Sequence, residues 1–193
     1  QCLVGPVWTW PESMAALYAS GNKRYRALVN RSFSRMPQNN SFVSRGGIWV
    51  LAQVPMMLLA FMIPVLHGRG HLTPAGLVPM GGVAVTLLGA LLAVWGFASL
   101  GKALTPFPKP LADATLQRQG AYRFMRHPMY TAVMLVSLGW ALWWLCEIGV
   151  LYVLGLGFYF DRKAAYEERW LRQKYSEYVD YARAVKKFIP GLY

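Results

Sequence analysis

The chain has 193 residues, of which 55% are hydrophobic and only 15% charged, with a mean hydropathy of +0.29. A soluble domain carries about a quarter charged residues, so this composition argues against a water-soluble protein and for one domain's length of chain set in a membrane. The formal charge of +12 would suit nucleic acid, but the positive residues fall in the gaps between apolar runs, which is the pattern of membrane topology and of a basic face meeting anionic lipid headgroups; no nucleic-acid partner is expected.

Residues 1–46 mix Trp8 and Trp10 with Lys23, Arg24, Arg26, Arg31, Arg35 and Arg45, which alternate with Tyr25, Leu28, Val29 and Phe33. They read as an interfacial, partly amphipathic segment lying on the bilayer surface, with residues 1–10 alternatively the tail of an earlier span. No basic region precedes a short apolar core, so no cleavable signal peptide is expected; the chain starts with Gln1 rather than Met. Residues 47–66 carry no charge and are enough to cross a ~30 Å hydrocarbon core as a helix. Pro55 and Pro64 predict a kink and an end in it. His67 and His71 are spaced for a metal on a helix, but glycines flank them and no third ligand is near, so they read as loop histidines and no metal site is expected.

Residues 76–100 form a second charge-free run, with Gly82, Gly89 and Gly96 seven apart. Such a stripe of small residues lets membrane helices approach closely, within one chain or between two. In the loop that follows, Thr105-Pro106-Phe107-Pro108-Lys109-Pro110 is too proline-rich for helix, and Gly120 predicts a turn. Residues 128–160 contain one charged residue, Glu147. They predict a tight helical hairpin, spans about 128–146 and 148–166, bending near Glu147-Ile148-Gly149. Beyond it Tyr166, Trp170, Tyr175, Tyr178 and Tyr181 recur at helical steps, which predicts an amphipathic C-terminal helix to about residue 187 before Pro190-Gly191. Cys2 and Cys146 make neither a metal spacing nor a disulfide framework.

Six of the twenty Lys and Arg residues lie before residue 47, five in the central loop and eight after residue 160; Arg69 is the remaining one. Four spans put all but Arg69 on one side, which the positive-inside rule makes the cytoplasm. The expectation is an all-α, multi-pass integral membrane protein of about four transmembrane helices, with residues 1–46 as an interfacial segment and 47–193 as the membrane domain. The N-terminal segment, central loop and C-terminus are then cytoplasmic.

Two polar clusters meet at that face. Tyr122, Arg123, Arg126, His127 and Tyr130 enter the third span; Arg162, Lys163, Glu167 and Glu168 leave the fourth. Ionisable residues at a membrane boundary facing a bundle interior mark a candidate site, although arginines and aromatics at helix ends also act as interface anchors, the better reading for Arg123 by itself. Aromatic faces can hold a sulfonium and arginines a carboxylate, so a zwitterionic ligand suits the set.

The pattern Gly120-x-Tyr122-Arg123-x-x-Arg126-His127-Pro128-Met129-Tyr130, then Glu167-Glu168-x-x-Leu171, Tyr178-x-x-Tyr181 and Phe188-Ile189-Pro190, resembles the isoprenylcysteine carboxyl methyltransferase / phospholipid methyltransferase family, over roughly residues 76–193. Thr105-Pro106-x-Pro108 with Leu116 resembles its bacterial branches, which implies a bacterial inner membrane. The resemblance implies S-adenosyl-L-methionine as cofactor and methyl transfer to a lipid or lipid-like acceptor, either the carboxylate of a prenylcysteine-like compound or the amine of a phospholipid. It implies that Thr115, Leu116, Gln117, Tyr122, Arg126, His127, Pro128, Met129, Tyr130 and Glu167 bind the cofactor. Lys163, with Arg162 beside it, stands where the prenylcysteine enzymes carry an arginine that meets the substrate carboxylate. An amine acceptor needs a base, for which His127 and Glu168 are the candidates. Two other readings stand beside this one: a membrane reductase of the sterol reductase type using NADPH, and a small non-enzymatic membrane scaffold.

Overall fold

In a computed structural model the described residues are Phe42, 46–69, 76–101, Thr105, 107–109 and 114–193. The expectations for residues 1–41 and 43–45, for His71, and for Pro106 and Pro110 lie outside them; Thr105 and residues 107–109 are described and are not helical, as expected. Five α-helices and no strand form among the described residues: α1 Gly47–His67, α2 Leu77–Leu100, α3 Pro128–Trp143, α4 Glu147–Lys174 and α5 Tyr178–Ala184. A 3-10 turn, Gly120–Arg123, precedes α3.

Helices α1 and α2 are long and apolar enough to cross a membrane, and only 11% and 17% of their most apolar windows are buried inside the protein. The core helix of a soluble protein would bury most of such a window. Here Leu51, Leu58, Leu87, Leu91 and Val94 are exposed, an apolar surface of the kind that bilayer hydrocarbon covers. Helix α3 is apolar but has 16 residues. Helix α4 has 28 residues, about 42 Å at 1.5 Å per residue, longer than a hydrocarbon core. Its first half exposes Leu151, Leu154 and Phe158; its second half is polar.

The glycine stripe of α2 is the seam with α3. Gly82, Gly89 and Gly96 are buried, and a Cβ at Gly82 would lie 2.7 Å from the Gly139 oxygen and the Trp143 nitrogen. At Gly89 it would lie 2.8 Å from the Val136 nitrogen, and at Gly96 3.0 Å from the Met129 sulfur. Backbone therefore meets backbone along this pair, and the stripe serves packing within the chain. Helix α1 runs antiparallel along α4: Tyr152 donates to the Met56 carbonyl at 3.0 Å, and Tyr159 donates to the Trp49 carbonyl. Trp140 of α3 donates to the Phe61 carbonyl at 3.1 Å. At the far end of the bundle, Arg69 pairs with Glu147. Arg69 and the hairpin bend thus share one end of the bundle.

Local chemistry moves several expected boundaries. Helix α1 does not end at Pro64; it continues to His67, and the Gly68 N–H closes on the Pro64 carbonyl at 2.8 Å. The hairpin bends at Trp144–Cys146, earlier than Glu147–Gly149. Leu145 takes φ 50°, and the Cys146 sulfur caps α4 by accepting the Gly149 N–H at 3.3 Å. The third helix therefore ends at Trp143 rather than 146. The tail is not one helix to 187. Helix α4 stops at Lys174 because Tyr175 turns extended, with its hydroxyl donating to the Ala114 carbonyl, and α5 is a separate two-turn helix.

Candidate active site

Pro128 starts α3 as its first residue, where a missing N–H costs nothing. The preceding segment is fixed from two sides. On one, Ser99 at the end of α2 accepts the Ala121 N–H on its hydroxyl at 3.2 Å, and its carbonyl takes the Gln117 side-chain amide. Gln117 in turn accepts the Arg118 and Gln119 N–H groups at 3.0 and 3.2 Å. On the other, the C-terminal strand-like segment lies beside it: the Arg126 N–H donates to the Lys186 carbonyl at 2.9 Å and the His127 N–H to the Lys187 carbonyl at 3.1 Å. Lys187 pairs with Asp161 of α4 at 2.6 Å, and Thr131 donates to the Phe188 carbonyl at 3.1 Å. His127 is thus tied to α2, α4 and the tail at once.

Between these elements lies a cavity of about 410 Å³, within the size range of sites for drug-sized ligands. Met129, Tyr130 and Val133 of α3 and Phe97 and Leu100 of α2 line it. Thr115, Leu116 and Gln117 of the loop and Tyr175, Tyr178 and Tyr181 after α4 complete the lining. Arg126, Lys163 and Glu167 bring charge to the lining and His127 an imidazole, with Gln53 reaching in from α1.

The ring of Tyr130 is the centre of the packing. It stacks on His127, centroids 5.4 Å apart and planes 6° apart, and on Phe160 at 4.8 Å and 16°. Its hydroxyl donates to Glu167 at 2.8 Å. Lys163, 2% exposed, places its Nζ 5.2 Å from the same ring centre and donates to the Gln53 side-chain oxygen. The two consecutive glutamates face different ways. Glu167 looks into the cavity. Glu168 lies behind it, 6% exposed, 3.1 Å from His127 Nε2 and 3.4 Å from Arg126 Nε, with Arg172 at 3.7 Å. Burial by itself would push the Glu168 carboxyl up; the hydrogen bond and charge of His127, with Arg126 and Lys187, outweigh it and hold the carboxyl below its ordinary range.

The outer tyrosines stay protonated at neutral pH. Burial first, then the Glu167 charge, pushes the Tyr122 phenol well up. Burial pushes Tyr181 up to about 12 although Arg126 pulls the other way. Tyr181 donates to the Tyr122 carbonyl at 2.6 Å. Tyr178 is 1% exposed and its hydroxyl, at the cavity wall, finds no protein partner. A buried unpaired hydroxyl is a donor awaiting a ligand or water.

Of the residues singled out from the sequence, Thr115, Leu116, Gln117, Tyr122, Arg126, His127, Met129, Tyr130, Glu167 and Lys163 come together on this lining. Pro128 does not; it is buried against Gly96 as part of the helix seam. Glu168 does not reach the lining either, because its carboxylate is taken up by His127 and Arg126. Arg162 points away: it is 60% exposed, pairs with Asp161 at 2.9 Å and lies over the Phe158 ring. Sequence reading missed Gln53, Phe97 and Tyr175 as lining residues. Gln53 left a signal, an amide inside an apolar run, and Tyr175 stood in the row of aromatics at helical steps; Phe97 left none. No group of three His, Cys, Asp or Glu able to hold a metal occurs among the described residues.

A family model for phospholipid methyltransferase matches residues 78–178, more than half of the chain. The chain belongs to the phospholipid methyltransferase family. The matched stretch runs from α2 to the first residue of α5 and carries most of the cavity. Protein-S-isoprenylcysteine O-methyltransferase B from Arabidopsis thaliana is 27% identical over 114 residues, 56% of this chain and 57% of that protein. The match therefore spans little more than half the length of that relative. The cavity is the candidate site of this family domain. Gln53 on α1 and the Lys186–Phe188 segment both lie outside the family match.

Proposed function

We propose that the protein transfers a methyl group from S-adenosyl-L-methionine to a lipid or lipid-like acceptor at the cytoplasmic face of a membrane, in a bacterium the inner membrane. The observation that carries this reading is the cavity itself. It joins aromatic faces, one inward carboxylate and buried cations at the level where α3 and α4 leave the apolar zone. The residues fit the cofactor: the stacked Tyr130 and His127 rings with Glu167 suit a sulfonium and an ammonium, Arg126 suits a carboxylate, and the orphaned Tyr178 hydroxyl offers a donor. When bound, S-adenosyl-L-methionine supplies the methyl group on a positively charged sulfur.

The chain's own residues do the positioning. Thr115, Leu116 and Gln117 line the site, and Phe97, Leu100 and Met129 give it an apolar surface. Excluding water around a reacting cation and orienting its partner are the main means of accelerating a displacement of this kind. His127 lines the cavity while Glu168 holds its Nε2, so Glu168 acts through His127 and Arg126 as a positioning residue. A carboxylate acceptor is ionised at neutral pH and needs no base; an amine would need His127 to take its proton.

The topology we propose has four spans: α1, α2, α3 and the apolar half of α4. Placing the basic residues inside puts the cavity on the cytoplasmic side, with the Arg69–Glu147 pair outside. Titration of detergent-solubilised protein with S-adenosyl-L-methionine and with NADPH tests the reading. Binding of the first, lost in His127→Ala and Glu167→Ala, supports it. Binding of NADPH instead moves the protein to the reductases, and binding of neither leaves the scaffold.

A further inference from the structure

Two carboxylates on one face of α4 hold the segment that carries His127, and only one of them touches it. Asp161 and Glu168 are two helical turns apart, so they share a face about 10 Å apart along the axis. Glu168 grips side chains, 3.1 Å from His127 Nε2 and 3.4 Å from Arg126 Nε. Asp161 reaches the same two residues through the tail. Its Oδ1 accepts from Lys187 Nζ at 2.6 Å and from the Tyr193 hydroxyl at 2.8 Å, and its Oδ2 pairs with Arg162 at 2.9 Å. The Asp161–Lys187 pair is only 14% and 15% exposed, so water screens it less than a surface pair. Between its two anchors the tail folds back on itself, the Phe188 and Ile189 N–H groups both donating to the Tyr193 carbonyl at 2.7 Å. The backbone so anchored is what meets the site. Lys186 and Lys187 accept the Arg126 and His127 N–H groups, Phe188 accepts the Thr131 hydroxyl, and the Phe188 ring centre lies 5.9 Å from that of His127.

We infer that Asp161 is a positioning residue of the site: by anchoring the Lys187–Tyr193 tail to α4 it fixes the backbone of His127 at the cavity, while Glu168 fixes the ring. The inference rests on the methyltransferase reading for calling the ligand beside His127 the cofactor. The physical reason lies in where His127 stands. It precedes the first residue of α3, with φ −128° and ψ 60°, so its N–H has no place in the helical ladder. The Lys187 carbonyl is the acceptor that N–H has. An imidazole held at Nε2 alone pivots about that bond when its backbone shifts; held at both ends, it has one place. A displacement of about 1 Å in a positioned group lowers reaction rates by up to about a hundredfold. The tail that supplies this second hold lies beyond the family match, which ends at residue 178. Neither Asp161 nor Lys187 lines the cavity, so both act on a ligand only through the segment they hold.

A double-mutant cycle separates this role from a merely structural one. Asp161→Ala and Lys187→Met each cut the anchor, and the double variant cuts it no further. The first readout is the calorimetric affinity of folded, detergent-solubilised protein for S-adenosyl-L-methionine, which a loss of stability by itself leaves unchanged. The second is hydrogen exchange at the Arg126 and His127 amides compared with the rest of α3. Each single variant is expected to bind about tenfold more weakly, with exchange at the two amides about fivefold faster. The double variant should bind no worse than the weaker single one, because the two residues act through one contact. Wild-type affinity in folded Asp161→Ala, or losses that simply multiply in the double variant, overturns the inference. Where these variants do not fold, Tyr193→Phe removes one hydroxyl from Asp161 and should weaken binding roughly two- to threefold; unchanged affinity and exchange in it overturn the inference as well. If wild type itself binds no S-adenosyl-L-methionine, the methyltransferase reading falls, and the exchange of the two amides still decides: faster in Asp161→Ala, the anchor stands; unchanged, it falls too.

Discussion

Replacing Tyr130 separates its hydroxyl from its ring. In Tyr130→Phe the ring stays between His127 and Phe160 and only the 2.8 Å bond to Glu167 is lost. A hydrogen bond to a charged group contributes about 1.5–3 kcal/mol. Glu167 is 26% exposed, so water replaces part of the loss and the lower end applies. About 1.5 kcal/mol corresponds to roughly tenfold in affinity, and we expect S-adenosyl-L-methionine to bind about tenfold more weakly with the melting temperature lowered by only a few degrees. In Tyr130→Ala both stacks disappear from beside the buried cluster of Leu156, Phe160, Ala164 and Phe188. Truncating a buried aromatic costs about 3–5 kcal/mol, which is roughly 6–20 °C for a chain of this size. The assay is calorimetric titration with cofactor plus a thermal melt in the same detergent. A Tyr130→Ala protein that melts within about 2 °C of wild type would refute the packing role. A Tyr130→Phe protein with unchanged affinity would refute the role of the hydroxyl in orienting Glu167.

Four further outcomes follow from the geometry. Glu168→Ala strips Arg126 and His127 of a buried carboxylate and should destabilise by about 3–5 kcal/mol in chemical or thermal unfolding. Because the Glu168 carboxyl titrates below its ordinary value of 4.5 in the folded state, its contribution is full above that value and is lost as the pH falls through the folded one; melts between pH 7 and 3 should show this acid limb, flattened in Glu168→Gln. Gly89→Ala puts a Cβ 2.8 Å from the Val136 nitrogen and should cost about 1–3 kcal/mol, whereas Gly81→Ala, with nothing within 4 Å, should leave the melt unchanged. Lys187→Met removes the tie between the tail and Asp161 of α4 and should raise hydrogen exchange at the Arg126 and His127 amides, with weaker cofactor binding. For topology, cysteines placed at Arg69 and Arg118 should react with a membrane-impermeant reagent from opposite sides of sealed vesicles.

Some of this was written in the sequence and some was not, for physical reasons. Absence of charge over a length of chain decides that a helix can lie in a bilayer, and α1 and α2 begin and end within one residue of the charge-free runs at 47–66 and 76–100. The pattern around His127 and the glutamate pair identified the family without coordinates, because those residue types and spacings are short-range features. The stripe at Gly82, Gly89 and Gly96 announced a close contact, yet its partner, α3 of the same chain, emerged only from packing. The hairpin bend was misplaced because Trp144, Leu145 and Cys146 carry no turn signature; a left-handed Leu145 and a sulfur cap make the turn.

The site shows the same division. Sequence determined which groups are available: two glutamates, a histidine, a lysine and a set of tyrosines near one end of a helical hairpin. It did not determine which way each faces. Adjacent residues on a helix point about 100° apart, so of Glu167 and Glu168 one had to enter the cavity and the other could be its support; packing against His127 and Arg126 assigned Glu168 the second place. Arg162 and Lys163 divided in the same way, one to the surface and one to the interior. Gln53 was visible as an amide in an apolar run, but α1 is hydrophobic around its circumference and gives no preferred face. Only the antiparallel docking of α1 on α4 brought that amide to Lys163.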